Sequence, residues 1–304
     1  MLKALIYPLR YQKAVKNPRE TTDKLYYKIF RTHINYENPI SLNEKIHRLK
    51  FYSDTSKWPM LADKYRVREY VTNKGFGSLL NELYAVYDSA DAIDISNLPD
   101  SFVMKMNNGS GDILIVRDKT KFTNKRIRNY FRNKFKSEYG ILLGEYHYRS
   151  INPCVIVEKL LVEENSSLFL TDYKFFCFSG RVEFVLVCSE RNKKEFTVDT
   201  YDVQWRHYDV HVPSEHRKIG NGTVRKPVSF DRMVEMCKKL SEEIPFVRID
   251  LYETDGNPIF GEMTLTPAGG FIRHYSQDFL NRLGGYIELP EKIINDSNRA
   301  SCIL

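Results

Sequence analysis

The spacing of hydrophobic and polar positions changes along the chain. Up to residue 75 apolar residues recur with a helical period; further on they gather in short alternating runs bounded by turn residues. Ser41-Leu-Asn-Glu44 has the form of a capping box, with the Ser hydroxyl on one free amide and Glu44 reaching back. Leu42, Ile46 and Leu49 follow at helical spacing. Pro59 suits the first turn of a second helix, which Leu61, Tyr65, Val67 and Val71 continue to Gly75. Residues 101–106 and 113–116 read as a hairpin around a Gly-rich loop. Thr123 to Lys136 reads as a basic helix with Ile127, Tyr130, Phe131 and Phe135 on or near one face. Residues 154–162, 171–178, 182–189 and 195–200 read as strands, with a turn at Ser179-Gly180. Asp231 to Glu243 reads as an amphipathic helix. Strands 246–252 and 258–264 follow, joined by the turn Thr254-Asp-Gly-Asn257. The last dozen residues are polar and expected to fray.

This order of elements predicts an α+β fold with antiparallel hairpins; it lacks the strand–helix alternation of a doubly wound sheet. At 304 residues, with 42% hydrophobic and 28% charged, the chain can bury a core of one large domain or two to three subdomains. The expected divisions are 1–100, 101–160 and 161–304. No apolar run approaches the ~20 residues of a membrane span, and the residues after Met1 lack a secretory apolar region and cleavage site. A cytoplasmic protein is expected. Cys154, Cys177, Cys188, Cys237 and Cys302 are odd in number and contain no C-x-x-C, which argues against a disulfide framework and a zinc ribbon.

The net charge of +7 is unevenly placed. Residues 1–50 hold 11 Lys and Arg against 4 Asp and Glu; residues 117–136 hold 9 against one; residues 242–262 hold 6 Asp and Glu against one Arg. Two basic regions and an acidic stretch suit a polyanionic ligand beside a cation, although solvated faces give the same charge pattern.

Four segments carry candidate chemistry. In Phe102-Val-Met-Lys105-Met-Asn-Asn-Gly109-Ser-Gly111, a Lys closes a strand and a loop with two glycines follows. Glycines let backbone amides approach a phosphate and Lys adds a point charge. Neither a Walker A nor a Rossmann pattern is present, and an ordinary hairpin turn reads the same way. In Val155-Ile-Val-Glu158-Lys159-Leu-Leu161, an apolar strand ends in a charge pair. In Thr171-Asp172-Tyr-Lys174, Asp172 and Lys174 share one strand face, suited to ribose and phosphate or to a surface ion pair. The fourth is the most specific. Arg248, Asp250 and Tyr252 alternate on one strand, Glu262 and Thr264 on the next, and the hairpin can bring Asp250 opposite Glu262. Two carboxylates converging on oxygen ligands is how Mg²⁺ is held with nucleotide phosphates.

These residues resemble the ATP-grasp enzymes: the Arg-x-Asp strand, the Gly turn, Glu262 and the Pro-Gly tail, with the Lys105 loop and the Glu158 strand upstream in the family's order. L-N-E-K-I, L-A-D-K-Y, F-V-M-K with N-x-G-S-G, and F-G-E-M-T look like the TupA-like (teichuronopeptide biosynthesis) branch. Thr264 departs from the Asn most of these enzymes carry. The resemblance implies an ATP-grasp fold with a helical N-terminal region and ATP held between two antiparallel-sheet subdomains. The divisions above then become a helical N-terminal part, a part with the phosphate loop and basic helix, and a C-terminal part with a Mg²⁺ site.

It also implies a carboxylate–amine ligase that forms an amide through an acylphosphate, using ATP and Mg²⁺. Lys105, Asn108, Gly109, Ser110, Gly111 and Lys174 are then expected on the phosphates, Glu158, Lys159 and Leu161 on adenine, and Asp172 on ribose. Asp250, Glu262 and Thr264 would hold Mg²⁺, and Arg248, with Lys105 and Lys174, would serve the chemistry. Gly269, Gly270 and Arg273 would meet substrate. The branch points to an amine or amino-acid donor and a carboxylate-bearing saccharide acceptor of a bacterial surface polysaccharide, free or lipid-linked, with the protein in the cytoplasm or peripherally at the inner membrane face. A phosphotransferase on the same ATP–Mg²⁺ site is the alternative. A nucleic-acid module would leave the Asp250/Glu262 hairpin unexplained, so no nucleic acid is expected.

Overall fold

The computed structural model describes residues 10–161, 170–190, 195–214 and 217–293. The first nine residues of the basic arm, the end of the strand expected over 154–162, Cys302 and the polar tail from 294 lie outside the described residues.

Two sheets form the frame. The smaller has four strands in the order β1 (Leu83–Tyr87), β4 (Val155–Glu158), β2 (Phe102–Met106) and β3 (Ile113–Val116), all antiparallel. The larger runs β11 (Asn257–Thr264), β10 (Val247–Thr254), β5 (Asp172–Phe178), β6 (Arg181–Ser189), β7 (Phe196–Asp202) and β8 (His207–Tyr208). It is antiparallel except for β9 (Arg217–Ile219), which pairs parallel with β7. The α+β arrangement with a helical N-terminal region is the one expected. β1, β8 and β9 are additions to that reading. Because β1 pairs with β4, the expected division at residue 100 falls inside the smaller sheet's layer.

Strand alternation positions the site. Along β10, Val247, Ile249 and Leu251 are fully buried, against a core that includes Met233, Cys237 and Leu240 of the helix Phe230–Ser241. Arg248, Asp250 and Tyr252 therefore point to the opposite face. The smaller sheet has its own core, where Ile127 and Phe131 of the helix Asn124–Arg132 meet Phe102, Met104 and Val157. Thr123 caps that helix through Arg126 N, so the helix begins where expected.

The capping box of Ser41 and Glu44 is formed and starts the helix Leu42–Tyr52. The next expected helix, 59–75, is broken into Trp58–Ala62 and Val67–Val71. Asp63 is the cause. Its backbone is extended, and its Oδ1 accepts from Tyr65 N at 2.8 Å and Arg66 N at 3.2 Å, an N-terminal cap in mid-sequence. The break aims Lys64 at the site and ties its backbone N–H to the Asn107 carbonyl at 3.0 Å. Among the described residues, no helix is long and apolar enough to cross a membrane. Cys154, Cys177 and Cys237 are buried free thiols.

Candidate active site

A cavity of about 380 Å³ is lined by residues of both sheets. From the smaller sheet come Lys105 and the loop Asn108–Asp112; from the larger come Asp172, Lys174, Arg248, Asp250, Tyr252 and Glu262. Gly109 and Gly111 have φ of +80° and +87°. At Gly109 a Cβ would lie 2.6 Å from the Tyr139 ring, so only Gly fits there. Lys64 Nζ holds the loop through the Gly109 carbonyl at 2.5 Å.

The register of β10 with β11 sets Asp250 against Glu262 and Arg248 against Thr264, and that of β10 with β5 sets Asp250 against Lys174. Arg248 grips Asp250 with Nε and Nη2, each at 2.7 Å, and Nη2 also reaches Thr264 Oγ1 at 3.2 Å and Glu262 Oε1 at 3.4 Å. Lys174 Nζ lies 2.5 Å from both Asp172 Oδ2 and Asp250 Oδ2. Lys64 stands 3.4 Å from Glu262 Oε2. Burial alone would lower the Lys174 ammonium, but Asp172 and Asp250 outweigh it and hold it raised. Arg248 is raised in the same way, against burial, by Asp250 and Glu262. Burial pushes the Asp250 carboxyl up, opposed by Arg248 and Lys174. For Glu262 burial is outweighed by Lys64, Arg248, Lys174 and Lys105, and its carboxyl is held down at about 2. Its side chain is 31% exposed, against 2% for Asp250, so Glu262 is the carboxylate the cavity presents to a ligand.

Asp250, Glu262 and Thr264 are hard oxygen donors side by side, a set that fits Mg²⁺ when phosphate oxygens complete the shell. Among the described residues, no group of three His, Cys, Asp or Glu could hold a metal unaided. Asp250 would have to exchange Arg248 or Lys174 for the ion, whereas Glu262 is already open.

Other expected residues are placed differently. Glu158 is buried in β4 and does not line the cavity; its oxygens pair with Lys105 Nζ at 2.8 Å and Arg68 Nη1 at 3.1 Å. Its contact with the cavity lining is through Lys105. Lys159 and Leu161 do not line it either: the Lys159 backbone is held by Glu82 O and Asn81 Nδ2, each at 2.9 Å. Gly269 lines a neighbouring cavity, whereas Gly270 and Arg273 line neither. At Gly270 a Cβ would meet the His47 ring at 3.0 Å, so that glycine makes room for a core side chain. The basic helix contributes no lining residue. Its Arg128 and Arg132 bond the segment before it, to Ile93 O at 2.8 Å and Asp91 at 2.7 Å, and Lys134 beyond it pairs with Asp112 of the loop. Lys64, Arg217 and His274 line the cavity without having been singled out from sequence.

A family model described as TupA-like ATPgrasp matches residues 44–288. The chain belongs to the TupA-like ATP-grasp family. No curated protein sequence matches. Among solved structures, D-alanine–D-alanine ligase from Bacillus anthracis is similar at 14% identity and a TM-score of 0.44, covering 77% of this chain and 65% of that one. The enzyme of the same name from Helicobacter pylori is similar at 13% identity and a TM-score of 0.46, covering 78% and 64%. An L-amino acid ligase from Bacillus licheniformis is similar at 12% and 0.41, covering 75% and 46%. This ATP-grasp chain thus spans less than two thirds of the length of those ligases.

Proposed function

We propose that this ATP-grasp protein is an ATP-dependent carboxylate–amine ligase that releases ADP and phosphate. The observation that carries the reading is the convergence of Lys64, Lys105, Lys174 and Arg248 on one cavity around the ionised, open carboxylate of Glu262. A triphosphate matches the four cations, and a divalent ion relieves its repulsion with Glu262 and Asp250.

In this reading Lys105 and Lys174 hold phosphate oxygens, and the backbone amides of Gly109 to Gly111 cover them. Asp172 beside Lys174 suits the ribose. Glu158, 2.8 Å from Lys105 Nζ, keeps Lys105 aimed. Asp250 and Glu262, with the Thr264 hydroxyl, would hold Mg²⁺, which supplies charge neutralisation across the transferring phosphate. An oxygen of the substrate carboxylate attacks the γ-phosphorus, the bond to the ADP oxygen breaks, and an acylphosphate forms. The amine, once its ammonium form has lost a proton to water, attacks the acyl carbon through its nitrogen lone pair. The carbon–oxygen bond to phosphate breaks, phosphate leaves, and the nitrogen gives up a proton to give the amide. Arg248 stabilises the charge that develops at each centre. No side-chain nucleophile is required; positioning and electrostatics suffice.

For substrates, the family's TupA-like character and the basic regions support a uronic acid, or an amino acid already attached to one, on a surface saccharide. Its precursor would be free or lipid-linked at the anionic inner membrane face. The test is ADP release by the full chain with Mg·ATP, glucuronate-containing saccharides and individual amino acids. The reading requires ADP release to depend on both an acid and an amine. ADP formed without an amine, with phosphate retained on the saccharide, would assign a phosphotransferase and overturn it.

A further inference from the structure

Beside the first cavity lies a second of about 230 Å³. Arg248, Glu262, Lys64 and Gly109 line both. Beyond that shared wall, Tyr139, Tyr148, Thr266 and Glu145 line the second cavity. Glu145 is only 3% exposed. Its Oε1 accepts from Thr266 Oγ1 at 2.6 Å, while its buried Oε2 has no hydrogen-bond partner. The ammonium of Lys50, whose charge Glu145 feels, sends its N–H bonds elsewhere, to the carbonyls of Leu143 at 2.7 Å and Gly269 at 2.8 Å. A buried carboxylate oxygen without a donor is costly, and a ligand that brings one removes the cost. Burial pushes the Glu145 carboxyl up, opposed by Lys50 and Thr266, the direction expected of a group lacking a full complement of donors. The Tyr139 and Tyr148 rings meet edge to face with centroids 4.8 Å apart, and aromatic faces favour a cation.

We infer that the second cavity is the binding place of the amine substrate, a small primary ammonium that donates to Glu145 Oε2 beside the rings of Tyr139 and Tyr148. The inference rests on the ligase reading. The shared wall at Arg248 and Glu262 sets such an amine next to the centre where a substrate carboxylate is activated. The volume suits a simple amine or a small amino acid and excludes a polymer chain, which must approach from elsewhere.

The test uses the full chain with a Mg²⁺-bound non-hydrolysable ATP analogue. Ethanolamine, glycine, L-alanine and D-alanine are titrated by thermal shift beside their deaminated counterparts ethanol, acetate and propionate. At least one amine should stabilise the wild type where its counterpart does not, and the pattern separates an amino acid from a simple amine. Glu145→Gln keeps an acceptor for Thr266 but removes the charge. It should weaken that amine by about tenfold to a hundredfold, leaving the analogue's affinity unchanged. In turnover the same variant should raise the amine KM and leave the ATP KM alone, a split that a purely structural role would not produce. Three results overturn the inference: equal amine binding in Glu145→Gln, equal binding of the deaminated compounds, or no amine binding at all. If the variant does not fold, the wild-type comparison of amine with counterpart still decides. Failure of the ligase reading is a separate result: no amine-dependent ADP formation by the wild type.

Discussion

Arg248 and Asp250, two residues apart on one strand face, form a bidentate ion pair with both N···O distances at 2.7 Å. The carboxylate proposed for Mg²⁺ is thus already gripped by the guanidinium proposed for the transition state, and the two roles compete for the same oxygens. Arg248→Met leaves Asp250, 2% exposed, with Lys174 alone. The expected loss is about 2–3 kcal/mol, below the ~3–5 kcal/mol of a buried charge stripped of every partner. Arg248→Lys keeps the charge but not the fork, so the fold should hold while ADP formation falls by about a hundredfold or more. Denaturant melts and initial rates measure the two effects. Full activity in Arg248→Lys would remove the guanidinium from the chemistry.

Glu262 behaves differently because its contacts are loose: 3.4 Å to Lys64 and to Arg248, on a side chain 31% exposed. Glu262→Gln should therefore cost less than about 1 kcal/mol of stability. Its effect should fall on turnover, by about a hundredfold or more, and on the Mg²⁺ concentration needed for half-maximal rate. Thr264→Asn should stay active, since an amide oxygen can still accept from Arg248. Wild-type Mg²⁺ dependence in Glu262→Gln would sink the metal assignment.

Lys105 joins two functions. Its ammonium lines the cavity and lies 2.8 Å from Glu158, whose carboxylate is 6% exposed. Lys105→Ala should weaken ATP binding and also lower stability by about 1–2 kcal/mol, because Glu158 retains only Arg68. Calorimetric titration with Mg·ATP and a denaturant melt separate the two. Unweakened ATP binding would confine Lys105 to supporting Glu158.

What was legible in the sequence is what is local. Alternation told that Arg248, Asp250 and Tyr252 share a face, because Val247, Ile249 and Leu251 between them are apolar and prove fully buried. The turn Thr254–Asn257 set β10 against β11 and so brought Asp250 opposite Glu262. Glu145, Arg217 and His274 escaped because each reaches its cavity from a segment without period, over long sequence separations; Lys64 escaped because it lies in a stretch whose period reads as unbroken helix, and only the break at Asp63 turns it to the site. Asp63 broke an otherwise helical pattern through a side-chain cap that propensity does not signal. Glu158 was expected to face a ligand; a strand end shows that a charge is presented, and only the fold shows that Lys105 and Arg68 take it. β1, β8 and β9 are two to five residues long, too short to carry a pattern.

The pH dependence of stability should carry the signature of Lys50 and Glu145. Burial pulls the Lys50 ammonium down from 10.5 to about 7, against the pull of Glu145. Between those values the unfolded chain holds a proton that the folded chain has lost, so stability from this group rises with pH across the window. Below about 7 both states are protonated and the full cost of burying the charge is present. Glu145 works in the opposite sense. Burial raises its carboxyl above 4.5, so the folded state keeps a proton that the unfolded state gives up. Stability from Glu145 therefore falls as pH climbs from 4.5 toward the raised value. The pair contributes least between the two windows and more on either side. Lys50→Met removes the alkaline limb and Glu145→Gln the acidic one. The wild-type melting temperature, measured against that of Lys50→Met, should climb from about pH 7 toward pH 10, and measured against that of Glu145→Gln it should drop on leaving the acid range. A flat difference across the alkaline range would mean that Lys50 titrates as an exposed amine does, with its charge met by solvent rather than by the carbonyls of Leu143 and Gly269.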